Sequence, residues 1–539
     1  MAGLATVFGS GAMTNSIAEI ENNDVLFVIG SNTKENHPIL ALRMIKAKRK
    51  GAKIIIADPR RVPLVRFADI WIQHKPGTDV ALLNGMMHVI IAENLINCDF
   101  IDSQTEGFDE AFRKNIAEFT PEAASAITGV SKEQIIKAAR MYANGKRAGI
   151  YYTMGITQHA HGTENVFSIA NLALMTGNLG KANAGVNPLR GQNNVQGATD
   201  MGCIPNMYPG YQRVSIPAVK QKFEELWHAK LSDREGMTAT EMLPAAEKGS
   251  LKALYIMGEN PVVSDPDTTH TVKALKALDF LVVQDIFMTE TAELAHVVLP
   301  ATAFAEKVGT FTNTERRVQR VRRAVNPPGT AMKDSLIIME LSKRMGYEMN
   351  YPHTVEIFRE MGQAWPALAG MSYARLEDGG LQWPCPTPEH PGTQFLFKGG
   401  FPRGNGKFTL VKYKPSTEEA DPEYPFILTT GRQLFQYHTG SMTRRVKPID
   451  QVSPESYIEI NPEDARSLAI EAGSKVKVSS RRGSIVVKAV VTKRPARGIV
   501  FVPFHFKEAA ANVLTSCTSL DPVAKIPSLK VSAVRLEKA

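Results

Sequence analysis

The stretch Arg190–Gly202, RGQNNVQGATDMG, sets one Arg, two Gln, two Asn and one Asp among three Gly and three apolar side chains. A guanidinium, four amides and a carboxylate at this density supply hydrogen-bond donors and acceptors in both directions. The charge blocks of a solvated tail are absent. Such a run is either a polar surface loop or the lining of a site that surrounds a ligand with hydrogen bonds.

The elements that would position it follow a repeated pattern. Val25–Ile29 leads into GSNTKENHP, Lys53–Ala57 into DPRR, and Ile70–Gln73 into HKPGTD. Ile150–Tyr152 leads into TMGITQH, Leu254–Met257 into GENP, and Leu281–Val283 into QDIFMTETA. Between them lie amphipathic stretches such as Pro38–Lys50 and Val80–Asn94, with apolar residues at helical spacing. This alternation predicts an α/β fold with parallel sheets and helices on both faces, whose ligands bind at the carboxyl ends of the strands. Six polar clusters at such ends point to a large, extended ligand. No GxxxxGK[ST] is present, and Gly9 and Gly11 lack both a preceding strand and a third glycine, which disfavours a simple NAD-binding Rossmann domain. After Pro384 the chain is rich in Pro and Gly and reads as an irregular connection. From Tyr424 strand signals dominate, with Lys475–Ser479 and Ser484–Val491 flanking Ser480–Gly483 as a hairpin and Gly498–Pro503 as a further strand.

At 539 residues the chain is too long for one core, and its 43% hydrophobic and 22% charged residues are ordinary for a globular protein. The net charge of +9 is spread along the length, which argues against a nucleic-acid partner and fits a phosphate-rich ligand. Cys98, Cys203, Cys385 and Cys517 are far apart, so neither a zinc or iron–sulfur site nor a disulfide framework is expected within this sequence, and no metal ligand is assigned. A cytoplasmic setting is the simplest expectation, with no signal peptide and no membrane span.

The RGQNNVQGATDMG loop, together with PGYQRV, closely resembles the active-site region of formate dehydrogenase catalytic subunits in the molybdopterin (bis-guanine-dinucleotide) oxidoreductase family, and the resemblance runs from residue 2 to about the C-terminus. It implies two molybdopterin guanine dinucleotides carrying molybdenum or tungsten. It also implies two α/β cofactor-binding domains, residues 1–190 and 191–400, and a C-terminal β-barrel cap, residues 420–539. Gly30, Ser31, Asn32 and His37 match a pyrophosphate-contacting loop, where backbone amides approach phosphate oxygens. Asp58, Arg60, Gly77 and Asp79 match guanosine-binding loops; a carboxylate can accept from both N1–H and the N2 amino group of guanine, although Asp79 also reads as an N-cap. Gly258, Glu259, Asn260, Gln284, Asp285 and Thr289 match the corresponding loops for the second dinucleotide. Thr430, Gly431, Arg432, His438, Thr439, Asn512 and Lys530 match barrel positions facing the pterins or their phosphates. Met154, Gly155, Gln158 and Gln192 complete the pocket or hold the pterins, whereas His505, between aromatic residues, reads as packed structure. Met175–Pro188 reads as a helix end and turn.

Arg190 is the catalytic candidate: its planar fork can hold a formate carboxylate by two parallel hydrogen bonds. The resemblance implies oxidation of formate to carbon dioxide, or the reverse, with electrons leaving towards an iron–sulfur or NAD-linked subunit. It places the metal-ligating selenocysteine or cysteine roughly five positions before Met1, beyond a 4Fe-4S domain. The expectation is a chain inactive alone, produced by a UGA read as stop, a split gene, a remnant or deliberate trimming. A nitrate-reductase-like sibling and a non-catalytic scaffold are the alternatives.

Overall fold

The computed structural model describes all residues, Met1–Ala539. The chain divides into two compact units. The first comprises residues 1–189, 263–268 and 395–539, and the second residues 190–262 and 269–394.

The first unit is built on a five-stranded parallel sheet: β1 (Val25–Ile29), β2 (Lys53–Ala57), β3 (Ile70–Ile72), β4 (Ala148–Tyr152) and β5 (Gly185–Pro188), in the order β3-β2-β1-β4-β5. VLFVI and IIIA are continuously apolar because both faces are covered. Val25, Phe27 and Ile29 join a core with Leu82 and Met86 of α2 (Asp79–Ala92), while Leu26 and Val28 pack with Leu40 and Met44 of α1 (Pro38–Arg49). Chain order reverses between β1 and β4, so the loops leaving these two strands flank a topological switch point. β5 departs from the turn expected over Met175–Pro188: GVNP lacks an apolar run and becomes a strand by pairing Gly185 with Gly149.

The second unit carries a parallel sheet of β6 (Ala253–Met257), β7 (Phe280–Asp285) and β8 (Val297–Pro300), in the order β8-β7-β6. An antiparallel sheet of Gly309–Thr312, Arg317–Val321 and Leu381–Gln382 accompanies it.

The C-terminal portion of the first unit is a closed six-stranded barrel of β9 (Phe426–Gly431), β10 (Tyr457–Ile460), β11 (Lys475–Ser479), β12 (Ser484–Val491), β13 (Ile499–Pro503) and β14 (Ser532–Lys538). Along β12 exposed and buried residues alternate, and Ile485, Val487 and Ala489 enter the barrel core. The fold is therefore α/β with parallel sheets and a C-terminal β-barrel. No helix is long and apolar enough to cross a membrane.

Candidate active site and cofactor-binding loops

In the first unit, the loops after β1, β2, β3 and β4 gather at the carboxyl edge of the sheet. Gly30 follows β1 at φ +55°, and its carbonyl accepts from the Gly155 amide at 3.2 Å and the Thr153 hydroxyl at 2.7 Å. A Cβ on Gly155 would lie 2.4 Å from the Gly30 oxygen, and one on Gly30 would lie 2.8 Å from the Gly155 carbonyl carbon. Only glycine permits this backbone approach at the switch point. Ser31 Oγ and Thr33 Oγ1 are hydrogen bonded at 2.8 Å, and the short helix that follows ends at His37, the residue before Pro38 of α1.

A group of titratable side chains lies beneath these loops. Asp58 leaves β2, and burial pushes its carboxyl up to about 6 despite the Arg60 amide that donates to it at 2.9 Å. Buried Asp79 accepts from His74 Nε2 at 3.0 Å; burial alone would raise its pKa, but the His74 charge and hydrogen bond hold it below the usual range. Asp79 is the first residue of α2 and Thr78 the cap, so its charge sits at the positive helix end without serving as the N-cap the sequence suggested. His159 Nε2 donates to the Gly155 carbonyl at 2.8 Å, and burial lowers its pKa. Its Nδ1 is buried without a protein partner. Gln158 takes part through its backbone, its carbonyl accepting from the Leu529 amide at 3.1 Å, and Met154 opens the short helix Met154–Thr157.

The barrel places Lys530 in this region. Its ammonium donates to the Thr430 carbonyl at 2.8 Å, and Thr430 Oγ1 donates to the Leu529 carbonyl. Lys530 forms no ion pair, and burial pushes it down to about 8. A buried cation held by one carbonyl is costly unless an anion joins it. Arg432, also lowered by burial, contacts His438, and His438 stands at φ +48° with its carbonyl bonded to His505. Thr439 Oγ1 pairs with Ser441 Oγ at 2.8 Å. Fully buried His505 receives the Gln433 amide at 3.0 Å and is pushed down to about 4, which gives it a structural role. Gly431 closes β9, where a Cβ would come 2.8 Å from the Phe501 ring.

Two candidates are engaged elsewhere in the unit. Arg60 forms a buried two-pronged pair with Glu459 of β10, at 2.5 and 2.7 Å, and its guanidinium lies 3.7 Å over the Phe501 ring. Asn512 donates to the carbonyls of Val263 and Ser264, both at 2.9 Å. Gly77, at φ +81°, opposes Ser416 Oγ, which a Cβ would meet at 2.2 Å.

In the second unit, the loops after β6 and β7 meet: Gly258, at φ +64°, donates its amide to the Gln284 carbonyl at 2.8 Å. Gln284 is fully buried between Tyr255 and Asp334, and Asn260 accepts from the Thr291 amide and hydroxyl, at 3.2 and 2.8 Å. Asp285 caps the Phe287 amide and Thr289 the Ala292 amide, and Glu259 adjoins Asn260 in the same loop. These side chains build the two loops as one rigid rim.

The RGQNNVQGATDMG stretch divides into a loop, Arg190–Asn194, and a short helix, Val195–Asp200. Asn194 enters the helix at φ +58° and its Oδ1 accepts the Thr312 amide at 2.9 Å, while the Arg190 amide donates to Thr314 Oγ1 at 3.0 Å. Gln192 lies in the loop so pinned. The helix sets Gln196 and Asp200 one turn apart, and Gln196 accepts from Arg190 Nε at 3.1 Å.

Sequence reading passed over His74, His159 and Gln196, although each stands inside one of the polar clusters quoted from the sequence. Nothing in the sequence marks Glu459, whose partner Arg60 is 399 positions away.

Lys530 supplies a prediction. Its folded pKa is about 8 against an ordinary 10.5, so between these pH values the unfolded chain keeps a proton that the folded chain releases. Folding is thus favoured as pH rises through the window. The stability deficit of the ligand-free protein relative to Lys530→Met, on the order of 3 kcal/mol, is full below pH 8 and closes towards 10.5. Thermal melts of both proteins across this range check it; parallel curves would contradict the placement of Lys530.

Comparison with known proteins shows the family. Residues 3–344 match the family model for molybdopterin oxidoreductase, and residues 426–533 that for the molydopterin dinucleotide binding domain. The F420-dependent formate dehydrogenase subunit alpha of Methanocaldococcus jannaschii is 54% identical over 99% of this chain and 80% of its own length. Formate dehydrogenase H of Escherichia coli is 44% identical over 100% and 76%. The solved structure of acetylene hydratase from Pelobacter acetylenicus superposes with a TM-score of 0.79, covering 100% of this chain and 80% of its own, at 22% identity, a likeness of fold. The chain belongs to the molybdopterin oxidoreductase family.

Proposed function

We propose that this chain is a formate dehydrogenase catalytic subunit, converting formate and carbon dioxide reversibly with two molybdopterin guanine dinucleotides and molybdenum or tungsten. The observation that carries the reading is the pinned Arg190 loop in a chain that is 54% and 44% identical to two formate dehydrogenases. Loaded with its metal, the bis-pterin cofactor supplies two-electron redox chemistry.

The residues fit such a ligand. The Gly30–Gly155 approach keeps side chains out of the place where a pyrophosphate would come close to the backbone, the unpaired Lys530 offers charge to a phosphate, and Asp79 remains a carboxylate able to accept from guanine. We assign Gly30, Ser31, Asn32, His37, Asp58, Gly77, Asp79, Met154, Gly155 and Gln158 to one dinucleotide, with Thr430, Gly431, Arg432, His438, Thr439 and Lys530 from the barrel. Arg60 and Asn512 act in this reading by holding the loops that carry them. Gly258, Glu259, Asn260, Gln284, Asp285 and Thr289 take the second dinucleotide, and Gln192 flanks the substrate pocket. Arg190 binds and orients the formate carboxylate with two parallel N–H donors. This assignment gives the chain pterin and substrate contacts and no metal ligand.

Electrons pass in this reading to an iron–sulfur subunit. F420, in the names of the Methanocaldococcus and Methanococcus relatives, is proposed ahead of NAD as the final acceptor. Four free thiols fit a reducing cytoplasm. Dye-linked assays of the complete, cofactor-loaded enzyme that contains this chain test the reading: formate-dependent dye reduction is expected, and activity with nitrate alone would replace it with a nitrate-reductase function.

A further inference from the structure

Behind Arg190 lies a buried chain of hydrogen bonds that runs in one direction. Arg190 Nε donates to Gln196 Oε1 at 3.1 Å, which leaves the Gln196 amide nitrogen facing onward. That nitrogen donates to Asp200 Oδ1 at 2.8 Å and to the Tyr211 hydroxyl oxygen at 3.0 Å. Asp200 also receives Tyr211 O–H on Oδ1 at 2.5 Å and Trp383 Nε1–H on Oδ2 at 2.8 Å. Gln196 and Asp200 are 1% and 2% exposed.

We propose that Gln196 and Asp200 are positioning residues that fix the Arg190 guanidinium through a neutral amide and so keep its charge available to an anionic substrate. This rests on the reading of Arg190 as the formate-binding group. A carboxylate bonded directly to Arg190 would hold the guanidinium equally well, but it would neutralise the charge and compete with formate for the fork. The interposed amide avoids this. It takes one N–H of the guanidinium, fixes the plane of the fork, and sets the anion one link away. Three donors converge on Asp200, and they hold it as the acceptor that orients the Gln196 amide; without it, the amide could flip and present N–H groups to Arg190. Burial raises the Asp200 pKa to about 6, against the lowering effect of those donors and of Arg190. The hydroxyl of Tyr211 is pushed up by burial and by Asp200, so it serves as a donor.

Two measurements test the relay. In the full chain, the ¹⁵Nε–H signal of Arg190, identified by its loss in Arg190→Lys, should exchange with solvent at least tenfold faster in Gln196→Met; an unchanged rate would overturn the anchoring. In the cofactor-loaded enzyme, the exchange Gln196→Glu with Asp200→Asn keeps an acceptor for Arg190 Nε, reverses the bond between positions 196 and 200, and moves the charge next to Arg190. It should raise KM for formate at least tenfold with kcat within a few-fold, while Arg190 Nε stays protected. An unchanged KM would overturn the charge-spacing role. If instead Arg190→Lys left formate kinetics intact, the substrate reading would fail, and the exchange measurement would still decide whether the relay anchors Arg190.

Discussion

Replacing Arg190 with Lys lowers kcat/KM for formate about a hundredfold, the equivalent of roughly 2–3 kcal/mol of transition-state binding. Lysine brings a single ammonium where arginine brings a planar fork, so one of the two parallel bonds to the carboxylate is lost together with its orientation. It also lacks an Nε to donate to Gln196, and the remaining side chain swings without the anchor seen at 3.1 Å. Steady-state kinetics of the cofactor-loaded variant check the prediction, with pterin content measured alongside. Near-normal kinetics at full cofactor loading would remove Arg190 from the substrate site.

Glu459→Ala destabilises the first unit by about 3–5 kcal/mol, because it strips the partner from a buried cation. Glu459, 2% exposed, takes both prongs of Arg60 and also Arg494 Nη1 at 2.9 Å, so Arg60 loses its carboxylate while Arg494 keeps only Glu35, at 3.1 Å. The effect exceeds that of exposed pairs such as Arg140–Glu93, whose charges stay solvated with or without each other. Replacing the buried pair by Arg60→Met with Glu459→Leu should recover part of the loss, since neither charge then needs compensation. Chemical denaturation followed by a barrel-specific probe such as a reporter on β12 measures both. A transition in Glu459→Ala equal to that of the parent would show that the pair carries no stability.

Much of this molecule is legible along the chain because its two strongest patterns are local. VLFVI and KIIIA form β1 and β2 at the boundaries read from the sequence, since a strand buried on both faces must be apolar where it is covered, and only Lys53 at the start of β2 is exposed. The hairpin of β11 and β12 is equally plain, with Ser480 bonded to Gly483 across the turn. β5 is not, because GVNP owes its extended form to the neighbouring β4 rather than to its own residues. The same division runs through the site. Gly30, Asp58 and Asp79 stand in clusters at strand ends, where a ligand could be expected from spacing alone, while Arg190 is marked by the density of polar side chains that follow it. Their partners cannot be read that way: Glu459 and Lys530 come from the barrel hundreds of positions later, and the role of Gln196 depends on which of its amide atoms meets Arg190. Asp79 shows the limit within a single turn, since moving the helix start by one residue changes it from a cap to a buried partner of His74.

The central claim is that this chain holds two pterin guanine dinucleotides, and the most direct measurement is the guanine nucleotide released from purified, cofactor-loaded enzyme on acid hydrolysis, counted against protein alongside molybdenum and tungsten. The account predicts two GMP equivalents and one metal per chain. One GMP, or none in a protein that still oxidises formate, would contradict it.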